Sequence, residues 1–113
     1  MELQLFGINH KTSNVSEREQ FIINDSNQVL LDSFLKERLG SKIDSFFGIS
    51  TCNRTEIYIL GDPGIAETVL KETRECLSIN IDDKNFYFLS DQDAFIHMSK
   101  VASGIDSQVL GEQ

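Results

Sequence analysis

The chain has 113 residues, 40% hydrophobic and 25% charged, which is the size and composition of one globular domain, so a single domain spanning 1–113 is expected. Eighteen acidic against ten basic residues give a formal net charge of −8, and long-range repulsion of phosphate backbones argues against a general nucleic-acid binder. No apolar run approaches the roughly 20 residues that cross a bilayer, the amino terminus has no signal-peptide pattern, and two cysteines are too few for a disulfide scaffold, so a reducing cytoplasm is the expected compartment.

Residues 3–9 alternate loosely between apolar and polar and predict a first strand. A polar loop follows from His10 to Val15. Ser16 and Glu19 have capping-box spacing, which predicts a short helix over about 16–23. Asp25 or Ser26 then caps a second helix running to about Leu39. Its apolar stripe is Leu31, Phe34, Leu35 and Leu39, with Gly40 as the stop.

Residues 45–50 and 54–60 read as two strands, with Ile57 and Ile59 on one face and Glu56 and Tyr58 on the other. Asp62-Pro63 predicts a helix start with proline at its first position. That helix carries Ile65, Ala66, Val69, Leu70, Thr73 and Leu77 and ends near Ser78. Residues 86–90 form a fourth strand. Asp91 caps a last helix over 92 to about 102, with Ala94, Phe95, Met98, Val101 and Ala102 facing inward. The βαββαβ order predicts an α+β, ferredoxin-like fold. Its four-stranded sheet would be mostly antiparallel, with helices packed on one face and an extra C-terminal helix. The sequence stops at Gly111-Glu112-Gln113 without turn chemistry, so a piece of a longer protein is expected.

The chemistry concentrates around Cys52, which lies between two predicted strands in Ser50-Thr51-Cys52-Asn53-Arg54. A thiolate is a nucleophile, and the Arg54 guanidinium two residues on would stabilise it. Arg54 could equally hold a substrate carboxylate through two hydrogen bonds. Thr51 and Asn53 supply donors that could orient a carbonyl or an amino group. Taken alone, a single cysteine is more readily a buried structural residue, although its polar neighbours weaken that reading. Cys76 sits inside a helix between Glu75 and Leu77 and reads as structural.

His97 lies at the edge of the last helix's apolar stripe. It is either a satisfied, partly buried histidine or a general acid/base reaching the Cys52 region. His10, beside Lys11 and Thr12, could line the same edge or be a loop residue. The sequence contains neither GxGxxG nor GxxxxGK[ST], so it offers no cradle for a dinucleotide or nucleoside triphosphate. The two histidines and two cysteines are scattered, and no metal is expected.

Three blocks, in order from end to end of the chain, resemble glutamyl-tRNA reductase. They are Gly7-Ile8-Asn9-His10-Lys11-Thr12 with Val15-Ser16 and Arg18-Glu19, then Ser50-Thr51-Cys52-Asn53-Arg54-Thr55-Glu56-Ile57-Tyr58, then Val101-Ala102-Ser103-Gly104-Ile105-Asp106-Ser107 with Val109-Leu110-Gly111-Glu112. The resemblance implies an oxidoreductase that reduces the glutamate ester of glutamyl-tRNA(Glu) to glutamate-1-semialdehyde, with NADPH as hydride donor. That reaction opens the glutamate route to porphyrins, heme and other tetrapyrroles.

The family's nucleophile falls on Cys52, which would form a thioester and expel the tRNA hydroxyl. A thioester has less resonance stabilisation than an oxygen ester and accepts hydride more readily. By the same resemblance, His97 assists the chemistry, and Thr51, Asn53, Arg54, Ser107 and Glu112 hold substrate. The family usually reads Gly-Glu-any-Gln-Ile at the end of this stretch. Gln113 therefore stands at the variable position and takes no role. The resemblance further implies a cytoplasmic homodimer joined through a domain outside this chain, NADPH bound outside it, and contact with the downstream aminomutase. With a charge of −8, the isolated domain should bind tRNA poorly. A non-catalytic ferredoxin-like binding module, or a thiol esterase without a reduction step, are the alternatives.

Overall fold

Alternation along the first strand, β1 (Glu2–Asn9), sends Phe6 and Ile8 to one face of the sheet and Leu5 and Gly7 to the other. The computed structural model describes the backbone of residues 1–111 and the side chains of residues 1–104. Within it, β2 (Ile43–Thr51), β3 (Arg54–Gly61) and β4 (Tyr87–Ser90) join β1 in the order β2-β3-β1-β4, every neighbouring pair antiparallel. This is the expected ferredoxin-like arrangement.

Helices α2 (Asp25–Leu39) and α3 (Ala66–Leu77) cover one face. There Phe6, Ile8, Ile57 and Ile59 of the sheet meet Leu31, Leu35 and Leu39 of α2 and Val69 and Leu70 of α3. Burying each such side chain contributes about 1.5–3 kcal/mol. Phe6 also packs on Phe21 and Phe86, with ring centroids 6.4 and 6.2 Å away.

The last helix, α4 (Asp91–Gly111), is longer than the sequence pattern predicts and lies on the opposite face. Ala94 and Met98 pack there on Leu5, Tyr58 and Leu89. Phe95, expected to point inward, is 58% exposed, and Ala102 is exposed as well. The inward stripe is Ala94, His97, Met98 and Val101, at spacings of three and four, which leaves Phe95 a hundred degrees round the helix.

Three helix starts differ from expectation. The first helix, α1 (Val15–Gln20), is capped by Asn14 rather than Ser16. Asn14 Oδ1 accepts from the Glu17 amide at 2.8 Å, and Glu17 Oε1 accepts from the Asn14 amide at 2.9 Å. Asn24 caps α2 in place of Asp25 or Ser26, accepting from the Asn27 amide at 2.9 Å. In both, asparagine reaches the free amide one turn ahead from an extended backbone.

The third difference is at Pro63, which sits in a turn with Gly64 (φ 81) and not at the first position of α3. Buried Gln4 supplies the missing cap from β1. Its Oε1 accepts from the Ala66 amide at 2.9 Å, and its Nε2 donates to the Asp62 carbonyl at 2.7 Å. Gly40 ends α2 as expected, at φ 54.

Gly7 matters for a steric reason. It pairs with Glu56 on one side and Tyr87 on the other. A Cβ on Gly7 would lie 2.5 Å from the Thr55 carbonyl oxygen and 2.7 Å from Glu56 Cγ. Gly7→Ala is therefore expected to lose about 1–3 kcal/mol in urea denaturation. Gly104→Ala, whose added carbon meets nothing within 4 Å, should be neutral or gain up to about 1 kcal/mol of helix propensity. An unchanged midpoint for Gly7→Ala would contradict this packing.

Candidate active site

The hairpin joining β2 to β3 has a two-residue tip, Cys52-Asn53, closed by the register pair Thr51 and Arg54. So short a loop projects its side chains outward, and Cys52 is an exposed free thiol. The His10 amide donates to the Asn53 carbonyl at 2.9 Å, which ties the end of β1 to this tip. Ser50 of the same motif is structural. Its hydroxyl accepts from the Ile23 amide at 2.8 Å and lies 3.0 Å from the Thr55 hydroxyl.

Below the tip, the sheet face covered by α4 holds a buried carboxylate. Glu56 is wholly inaccessible to solvent. Its Oε1 accepts from the Tyr58 hydroxyl at 2.7 Å, and its Oε2 from the Tyr87 hydroxyl at 2.6 Å. His97 Nε2 lies 2.5 Å from Oε2, and Arg54 Nη1 lies 3.5 Å from it. A carboxylate taken out of water is costly unless it is paired and hydrogen-bonded, and these four groups supply that.

The row Tyr87–Gly7–Glu56 runs across three adjacent strands. Because the middle residue has no side chain, Tyr87 reaches Glu56 over it. Burial first, then the hydrogen bond to Glu56 and its charge, pushes both phenols far above their ordinary range. Both hydroxyls therefore stay donors. With donors converging on the carboxylate, Nε2 of His97 faces it with its proton. In a neutral ring Nδ1 is then the nitrogen free to accept.

Thr51, Asn53, Arg54 and His97 line one pocket of about 280 Å³, together with His10, Lys100, Val101 and Gly104. Five of the six residues read from sequence for this region, His10 among them, thus share one cavity. Cys52 does not line it. It lines a neighbouring hollow of about 200 Å³ with Val15, Arg18, Glu19, Ile22 and Thr51. Thr51 borders both, so the thiol stands at the divide between them. The Ser107 side chain and Glu112 lie outside the described residues. Cys76 is half-buried against the α2–α3 core, and burial raises its thiol.

A larger hollow of about 440 Å³ lies against α3 and is lined partly by Arg74 and Asp83, which pair with each other; it shares no lining residue with the two hollows at the hairpin tip. Among the described residues no cluster could hold a metal ion and no helix is long and apolar enough to cross a membrane.

Sequence pattern alone assigns no role to Glu56, Tyr58, Tyr87 or Lys100. The available signal is a charged residue alternating with tyrosine on a strand face that a later helix would have to cover, opposite a strand glycine.

The family model described as "Glutamyl-tRNAGlu reductase, N-terminal domain" matches residues 6–113. The chain is similar to a curated glutamyl-tRNA reductase of Marinobacter nauticus, 37% identical over 99% of this chain and 26% of the relative. It is similar also to one of Nitrosococcus oceani, 39% identical over 99% of this chain and 27% of the relative. The chain thus spans about a quarter of the length of the curated relatives it matches. Among solved structures, the glutamyl-tRNA reductase of Methanopyrus kandleri superposes with a TM-score of 0.66 at 26% identity, over 92% of this chain and 23% of that one.

Tyr58 and Tyr87 are the only tyrosines, and there is no tryptophan, so phenolate absorbance reports on this cluster alone. The folded protein is expected to show none near pH 10, where unfolded tyrosines ionise. Above about pH 10 the unfolded chain releases protons that the folded chain retains. Stability therefore falls as pH rises, and absorbance should appear only as the fold is lost. Ionisation near pH 10 with the fold intact would count against the buried cluster.

Proposed function

We propose, since this chain belongs to the glutamyl-tRNA reductase N-terminal domain family, that it carries out the acyl-transfer half of that reduction. The substrate would be glutamyl-tRNA(Glu) and the route the first step of tetrapyrrole formation. The observation that carries the reading is the exposed Cys52 thiol in a hollow that shares Thr51 with a pocket lined by Thr51, Asn53, Arg54 and His97.

The Cys52 thiolate attacks the ester carbonyl carbon. A sulfur–carbon bond forms, the bond to the ribose oxygen breaks, and that oxygen leaves with a proton. Arg54, half-buried and anchored by Glu56, would hold the glutamyl side-chain carboxylate through its planar fork. Thr51 and Asn53 would donate to the carbonyl or meet the amino group. His97, fixed by Glu56 through Nε2, would use Nδ1 to move the proton.

The chain has no glycine-rich dinucleotide cradle. NADPH, which supplies hydride in this reading, is therefore assigned to parts of the longer protein outside this chain, as are the homodimer contact and any contact with the downstream aminomutase. What these residues do ends at the thioester.

Mass spectrometry after incubation with glutamyl-tRNA(Glu) tests this. Acylation is expected on the Cys52 peptide, absent in Cys52→Ala and retained in Cys76→Ser. His97→Gln should slow acylation by about 10²–10⁴-fold. Label on Cys76, or acylation surviving Cys52→Ala, would overturn the proposal.

A further inference from the structure

The pocket beside Cys52 carries a charge pattern opposite to that of the chain. Overall there are eighteen acidic residues against ten basic ones. The pocket is lined by His10, Arg54, His97 and Lys100 and by no acidic side chain. Two of these are full cations in different settings. Arg54 is half-buried and held 3.5 Å from Glu56. Lys100 is exposed, and among the described residues it makes no ion pair. Its helix neighbours at three and four residues are Ile96, His97, Ser103 and Gly104, so nothing acidic lies in reach on its own helix.

His97 and Lys100 are three residues apart, and Val101 and Gly104 lie four beyond each in turn, which puts the ammonium on the same face of α4 as the imidazole, one turn further along. Gly104, one turn beyond Lys100, leaves open space. His10, just after β1, lines the same pocket, is exposed and carries a ring N–H donor.

Resting on the acyl-transfer reading above, we propose that Lys100, with His10 of the same pocket, takes the phosphodiester next to the esterified ribose at the RNA 3′ end. The substrate carries two kinds of anion on either side of its ester. Arg54, recessed and fork-shaped, matches the carboxylate. Lys100, exposed and a compact point charge, matches a phosphate that stays near solvent. An acidic domain repels RNA at long range, so a local, acid-free cationic mouth is how it admits one strand end and no more.

Binding is measured in the full-length protein carrying Cys52→Ala, which requires no chemistry, with uncharged tRNA and with tRNA trimmed of its 3′-terminal nucleotides. Lys100→Gln is expected to flatten the slope of log affinity against log salt by about 0.7, the value for one phosphate contact on a single strand. From 200 to 50 mM salt that removes roughly a threefold gain in affinity. Lys100→Arg should restore the slope, and the difference should vanish with trimmed tRNA.

In protein with native Cys52, Lys100→Gln should slow acylation by a small glutamyl thioester less than acylation by glutamyl-tRNA(Glu). An unaltered slope, an equal effect on trimmed tRNA, or an equal loss with the small thioester would overturn the assignment. Failure of the thioester to acylate the otherwise unaltered protein would instead overturn the acyl-transfer reading and leave the binding result standing.

Discussion

The side of the hairpin that α4 covers depends on one carboxylate kept out of water. Glu56 has no solvent contact, so its charge is tolerable only while Tyr58, Tyr87, His97 and Arg54 supply donors around it. Those four residues come from β3, β4 and α4. Satisfying a single side chain therefore locks the last helix onto the sheet and sets both the ring of His97 and the guanidinium of Arg54. Breaking the cluster at one member leaves a charge or a hydroxyl stranded, which costs more than the lost bond itself. The groups proposed to handle substrate are thus held by the same contacts that fold the second face.

The strands, the topology and the motif around Cys52 are legible in the sequence because they rest on local signals. Ile57 and Ile59 alternate with Glu56 and Tyr58, and Gly40 ends α2 where backbone conformation requires it. The caps are less legible, because Asn14, Ser16, Asn24, Asp25 and Ser26 are all competent N-caps. Tertiary packing selects among them. Gln4 is not readable at all, since it caps α3 from sixty-two residues away.

The site divides in the same way. Thr51, Asn53, Arg54 and His97 were readable from motif resemblance, and they do share a pocket. Lys100 and the Glu56 cluster were not. Their meaning comes from α4 crossing the face opposite α2 and α3, and no period in the sequence states which face a terminal helix will cover. Phe95 fails for the same reason: strong hydrophobicity suggested burial, whereas the arc facing the sheet is set by Ala94 and His97.

Gly7 links these levels. Its missing side chain leaves the gap through which Tyr87 meets Glu56. Positions 7 and 56 therefore act as one packing unit. A side chain at 7 meets the Thr55 carbonyl oxygen as well as Glu56, so it cannot be accommodated by shortening 56 alone, and a shorter residue at 56 strands two tyrosines, a histidine and an arginine. A change at either position alone therefore disturbs the face of the sheet that α4 covers.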